Sequence, residues 1–190
     1  MPDFNQAGPQ RVFDVIPAGT IATLQLKIRP GGAGEGGLLR RSKGGDSEAL
    51  DCEFVVTGGP YANRKFWTLL TVSGTSEGHT KAAEITRSRL RAILESARGV
   101  RPDDTSELAK QARQIASYGD LNGLRFIGRI GVEPARDNYP AKNVLLEALT
   151  PDRRDWHPVE QVSQPNATPI ATYNTVGVES AKVEKPAWAK

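Results

Sequence analysis

Tyr61, Arg64, Lys65 and Trp67 crowd together at the glycine-proline turn of "TGGPYANRKFWTLLTV". Flat rings stack on nucleobases for on the order of 1–3 kcal/mol per base, whatever the base, while neighbouring cations pair with phosphates. More positive charge lies upstream, where Lys27, Arg29, Arg40, Arg41 and Lys43 are opposed by Glu35 alone. Arg129, Arg136 and Tyr139 extend the set downstream. The chemistry these types share is reversible association with a single-stranded polynucleotide. A second basic run, from Lys81 through Arg87, Arg89, Arg91 and Arg98 to Arg101, also carries Glu84 and Glu95, and a solvated helix face accounts for it equally well.

Bond-making chemistry finds less support. "GAGEGG" at 32–37 satisfies G-x-G-x-x-G, but a dinucleotide site needs a helix directly after the glycines, and "LLRRSKGGDSE" follows instead. Asp103, Asp104 and Glu107 cluster where acidic residues favour a helix start. Cys52 is the only cysteine, and His79 and His157 are the only histidines. An internal disulfide is therefore excluded, and a structural zinc site is not expected. The expectation is a protein that is not an enzyme and has no cofactor and no metal.

At 190 residues the chain suits one well-buried domain. Its net charge of +3 is mild, so the placement of cations matters more than their sum. The N-terminus "MPDFNQAGPQ" lacks the basic start and apolar stretch of a signal peptide, and no apolar run approaches the roughly 20 residues that span a bilayer. A cytoplasmic protein without membrane association is expected.

Elements must position these side chains. "TIATLQLKIR" alternates, with Ala22, Leu24, Leu26 and Ile28 opposed to Thr23, Gln25, Lys27 and Arg29, as in a half-buried strand. The glycine-rich "PGGAGEGGLLRRSKGGDSE" reads as a long mobile loop, either a flexible linker or a binding element. "ALDCEFVVT" is a second strand with Leu50, Cys52, Phe54 and Val56 on one side and Asp51 and Glu53 on the other. "KFWTLLTV" is a third, placing Lys65, Trp67, Leu69 and Thr71 opposite Phe66, Thr68, Leu70 and Val72. Helical spacing over Thr80–Ala97 predicts an apolar stripe of Ala82, Ile85, Leu90, Ile93, Leu94 and Ala97, with Gly99 as its stop. A second helix is expected between a cap at Thr105 or Ser106 and Gly119. "LRFIGRIGVE" and "KNVLLEAL" supply two more strands, Gly128 and Gly131 permitting a bulge in the first.

Three strands, a helical section and two strands match a mainly β fold: a five-stranded OB-type Greek-key barrel with a helix between strands three and four and a second short helix. Residues 1–12 read as an N-terminal arm, 13–158 as the OB domain, and 159–190 as a flexible tail. Ligands of such barrels meet the outer face of strands two and three and the loops joining strands one to two and four to five. Two readings of Trp67 stand, an exposed stacking ring or a ring packed under the helix or tail, and "GGPYANR" also serves as a plain hairpin turn. Asp51 and Glu53 on that outer face oppose phosphate.

"VIPAGTIATLQL", "CEFVVTGGPYANRKFWTLLTV", "LNGLRFIGRIGVEP" and "YPAKNVLLEALTP" together resemble a phage and prophage family long filed as a domain of unknown function. The most specific part is a G-x-Y-x-x-R-x-x-W-like turn, here Gly59, Tyr61, Arg64 and Trp67. The resemblance implies a single-stranded DNA-binding protein of recombination and replication modules. Partners would be single-stranded DNA and a recombinase or other replication protein reached through the C-terminal tail, where Trp188 reads either as an anchor or as part of an unstructured terminus; OB-fold binders often join barrels, which adds a second copy of the chain. The rival readings are an accessory interaction module that uses the barrel without nucleic acid, and an RNA binder.

Overall fold

The computed structural model describes residues 1–8, 14–137 and 139–161. Strands β1 (Ile21–Arg29), β2 (Leu39–Arg41), β3 (Ser47–Val56) and β4 (Lys65–Gly74) precede helices α1 (Glu77–Arg98) and α2 (Glu107–Ala112); β5 (Arg125–Glu133) and β6 (Lys142–Ala148) follow. The protein is mainly β, one antiparallel sheet with few helices. β3 pairs with β4 along one edge, while β1 and then β2 lie end to end along the other. β5 pairs with β1 and β6 with β5. The end strands β4 and β6 come into contact, though no ladder joins them among the described residues.

In β1, β3 and β4 alternation places the side chains as expected, whereas in β5 both Phe126 and Ile127 are fully buried. Leu24, Leu26, Leu50, Cys52, Phe54, Val56, Phe66, Leu70, Phe126, Ile130 and Leu145 are buried together. Phe54 stacks on Phe66 at 5.3 Å between ring centroids and meets Phe126 edge-on at 6.1 Å. A register shift between Arg129 and Ile130 supplies the bulge foreseen near Gly128. A Cβ at Gly128 would sit 2.5 Å from Leu24 Cδ1, so any larger residue there forces the Leu24 side chain to shift.

The glycine segment is not a mobile loop. It is an insertion after which β2 resumes the edge that β1 leaves. The N–H groups of Gly31 and Gly32 both donate to the Gly37 carbonyl, at 3.0 and 2.9 Å, and Ala33 and Leu39 exchange two further bonds. Gly34 takes a φ of 67° with the Leu39 side chain pressed against it, a position open only to glycine. Burial of Leu39 anchors the segment, and this gives six strand segments where five were expected. The amides of Gly32, Ala33 and Gly37 bond within the segment, and no α-helix directly follows "GAGEGG" to present its N-terminus to a phosphate.

α1 starts at Ser76, whose hydroxyl accepts from His79 N, and stops at Gly99 with φ 67°. Its buried stripe is Ala83, Thr86, Leu90, Ile93, Leu94 and Ala97, so the expected positions hold only in the C-terminal half. Ile85 instead faces out, 54% exposed. α2 is capped by Ser106 and ends at Ala112, well before Gly119. Gly119 lies in a 3-10 turn (Tyr118–Leu121) that Ser117 and Asp120 cap reciprocally, delivering Leu121 to the core. Between the helices, buried Glu95 accepts from Arg91 at 2.8 Å and Arg113 at 2.6 Å.

Segments flanking the sheet, around Ile16 and 156–161, close the core. The backbone of Ile16 exchanges two hydrogen bonds with buried Asn143, at 2.8 and 2.7 Å. Trp156 donates to the Ser96 carbonyl, and Gln161 bonds Ala97 and both backbone groups of Arg125. Packing thus reaches slightly past the expected start of the tail at 159. The rest of that segment, with Trp188, and the expected arm boundary at 12 lie outside the described residues. Among the described residues no helix is long and apolar enough to cross a membrane.

Candidate nucleic-acid interface

Strand register builds the site. Across β1, β3 and β4 the outward side chains fall into rows: Gln25, Val55 and Lys65; then Lys27, Glu53 and Trp67; then Arg29, Asp51 and Leu69. Arg40, Ala49 and Thr71 continue the series where β2 replaces β1. Rows two residues apart are spaced by about 7 Å. The face is therefore a grid of cations and one large ring around two carboxylates.

Each carboxylate is engaged. Asp51 Oδ2 takes Arg29 at 2.7 Å and Arg40 at 3.5 Å. The two oxygens of Glu53 accept from Lys65 Nζ at 3.0 Å and from the Trp67 indole N–H at 3.1 Å. Desolvation works against ionisation of Glu53, but those bonds and the charges of Lys65 and Lys27 outweigh it and hold its carboxyl below the usual range. The hydrogen bond and charge of Asp51 raise the Arg29 guanidinium above its ordinary value. Lys27 makes no ion pair within 4 Å among the described residues. Positive groups outnumber negative ones on this face, and Trp67 stays 46% exposed.

A groove of about 470 Å³ crosses the grid, lined by Arg29, Arg40, Asp51, Trp67, Leu69 and, from β5 and β6, Glu133, Lys142 and Val144. A second cleft, of about 410 Å³, runs beside β1 past Gln25 and Lys27 and shares Arg29 with the first. Glu133 and Lys142, paired at 3.1 Å, form the base of the β5–β6 hairpin. Its tip is held by two backbone bonds between Arg136 and Tyr139, and Tyr139 stands 78% exposed.

Of the residues expected at the site, the structure gathers Lys27, Arg29, Arg40, Lys65 and Trp67, with Arg136 and Tyr139 on the adjoining hairpin. It does not bring the others there. Tyr61 is half-buried and packs against the core, away from the rows of the grid. Arg64 donates to the Asp14 carbonyl, tying the N-terminal segment to the turn. Arg41 is turned to Glu48, at 3.2 and 2.8 Å, away from its neighbour Arg40. Arg129 bonds Glu147 at 2.8 Å and approaches Asp155; it pairs with Ile21, about 26 Å along β1 from Arg29. Lys43 is exposed on the β2–β3 turn.

Lys142, Leu69 and Val144 were not anticipated as site residues. The signal was present, since alternation in "KNVLLEAL" sets Lys142, Val144 and Leu146 on one side, but using it requires knowing that β6 lies against β4. Asp51 and Glu53 were expected to oppose a ligand; their pairing with four of the site's own side chains was not foreseen.

The remaining reactive groups have other environments. Cys52 is buried, and desolvation, with the charge of Asp51, pushes its thiol up to about 12. Asp103 pairs with Arg101, Asp104 accepts from Ser106 N, and Glu107 pairs with Lys110. Among the described residues no three His, Cys, Asp or Glu side chains gather as a metal-binding group. The geometry is that of an antiparallel sheet with a basic and aromatic outer face. No protein-family model matches the chain, and no curated protein matches it.

Proposed function

We propose that the protein binds single-stranded DNA with little sequence preference across the outward face of β1, β3 and β4, the sheet curling into an OB-type barrel with β4 and β6 as its seam. The carrying observation is Trp67: nearly half of it is exposed, and it shares a row with Lys27, flanked by the rows that hold Lys65 and Arg29, with Arg40 one row further. A base stacks on the ring while the cations track phosphates, and Arg136 and Tyr139 extend the path. The sheet order, with β1 between β3 and β5, and the contact of β4 with β6 support the barrel reading. The resemblance to the phage family points to replication or recombination in the cytoplasm, and the C-terminal segment is the contact proposed for a recombinase or other replication protein.

A second reading, an accessory protein-interaction module, draws on Leu69 and Leu146, exposed at 55% and 58% on the outward faces of β4 and β6. Titrating labelled oligo-dT, oligo-rU and duplex DNA at several salt concentrations decides. Single-strand binding gives a log-log salt slope of roughly −0.7 per phosphate contact and weak duplex binding. An RNA binder prefers oligo-rU. An interaction module shows no oligonucleotide binding even at low salt.

A further inference from the structure

We propose that Glu53 is a positioning residue of this face: its carboxylate orients the Trp67 ring for stacking and holds Lys65 beside it, acting as a brace where sequence alone presents it as a repelling charge. The inference rests on the single-strand-binding reading above.

Glu53 lies directly across from Trp67 on one side and Lys27 on the other, in the centre of the three-strand row. Its side chain is only 13% exposed, whereas those around it are largely open: Lys65 at 46%, and Trp67 likewise at 46% as a whole residue. A mostly covered carboxylate beneath exposed partners is placed to hold them from below. One oxygen takes the ammonium and the other takes the indole N–H, so both are committed. An exposed tryptophan on a strand ordinarily samples several rotamers, and ordering a flexible side chain on binding costs conformational entropy. A ring already fixed by its N–H avoids much of that cost.

The arrangement also bears on specificity. With its only donor spent on Glu53, Trp67 offers a ligand the ring face and no hydrogen bond. Every base has a π-face, so a ring restricted in this way does not distinguish among bases. Asp51 repeats the device one row along, where it gathers Arg29 and Arg40.

Two variants separate brace from repeller. Glu53→Gln keeps an oxygen that accepts from the indole and removes the charge; Glu53→Ala removes both. With thermal unfolding confirming that each is folded, oligo-dT affinity is measured beside the exchange rate of the Trp67 indole N–H, assigned by its loss in Trp67→Phe. Positioning predicts that Glu53→Gln binds within about threefold of wild type or more tightly, and keeps a slowly exchanging N–H. Glu53→Ala should bind about tenfold more weakly, with fast exchange. If Glu53→Ala binds as tightly as wild type or tighter, the carboxylate only repels and the proposal is overturned. Equal losses in both variants overturn the role of the indole bond. Slow exchange that survives in Glu53→Ala refutes the geometric claim without any ligand. Failure of wild type to bind any oligonucleotide, with the exchange pattern intact, removes the single-strand reading instead.

Discussion

Replacing Trp67 by alanine separates stacking from both folding and charge. The residue is 46% exposed, so the folded state loses roughly half of a tryptophan's apolar contact. At about 25 cal/mol per Å² and something over 100 Å² buried, the lost burial costs about 3 kcal/mol, to which the lost bond to Glu53 adds, and a domain of 5–15 kcal/mol survives a loss of that order. Binding should suffer more visibly. Losing a stacked base costs on the order of 1–3 kcal/mol, which is about 5-fold to 150-fold in Kd. Because the ring touches no phosphate, the slope of log affinity against log salt should not change. Fluorescence polarization of labelled oligo-dT over a salt series, beside thermal unfolding, reads all three quantities. Unchanged affinity in a folded Trp67→Ala protein refutes the stacking role. Collapse of the fold shows instead that the ring is a core residue.

Arg40→Ala should flatten the salt slope by about 0.7, one phosphate contact, whereas Arg41→Ala, whose guanidinium is occupied by Glu48, should leave it near wild type; equal effects would contradict the placement of Arg40 alone at the groove. Glu95→Ala leaves the Arg113 guanidinium, 15% exposed, without its carboxylate, so stability should fall by about 3–5 kcal/mol and the unfolding midpoint by roughly 6–20 °C; an unchanged midpoint would show that the pair does not join the helices. Cys52 should resist thiol reagents near neutral pH until the protein is denatured, and prompt labelling of the native protein would contradict its burial. Its thiol is raised from about 9 to about 12, so the stability tied to the neutral form is complete below pH 9 and declines as pH climbs toward 12, which alkaline unfolding curves of Cys52→Ser and wild type compare.

Much of this protein follows from local pattern. The two-residue period separated Leu24, Leu26 and Ile28 from Lys27 and Arg29, and Cys52 and Phe54 from Asp51 and Glu53. Facing within a strand needs no knowledge of neighbours. Caps are equally local, as at Ser76, Ser106 and Gly99, where a hydroxyl or a missing Cβ solves a problem of the adjacent turn. The rest turned on distances between residues far apart in the chain. Arg40 and Arg41 are sequence neighbours of one type, yet one reaches Asp51 in the groove and the other Glu48, because β2 pairs with β3 in one particular register. The glycine segment looked loose until burial of Leu39 gave it a tertiary anchor. Composition and alternation thus established a basic and aromatic outer face, while strand register and side-chain length decided which carboxylate each cation meets, since only folding brings those partners within hydrogen-bonding range.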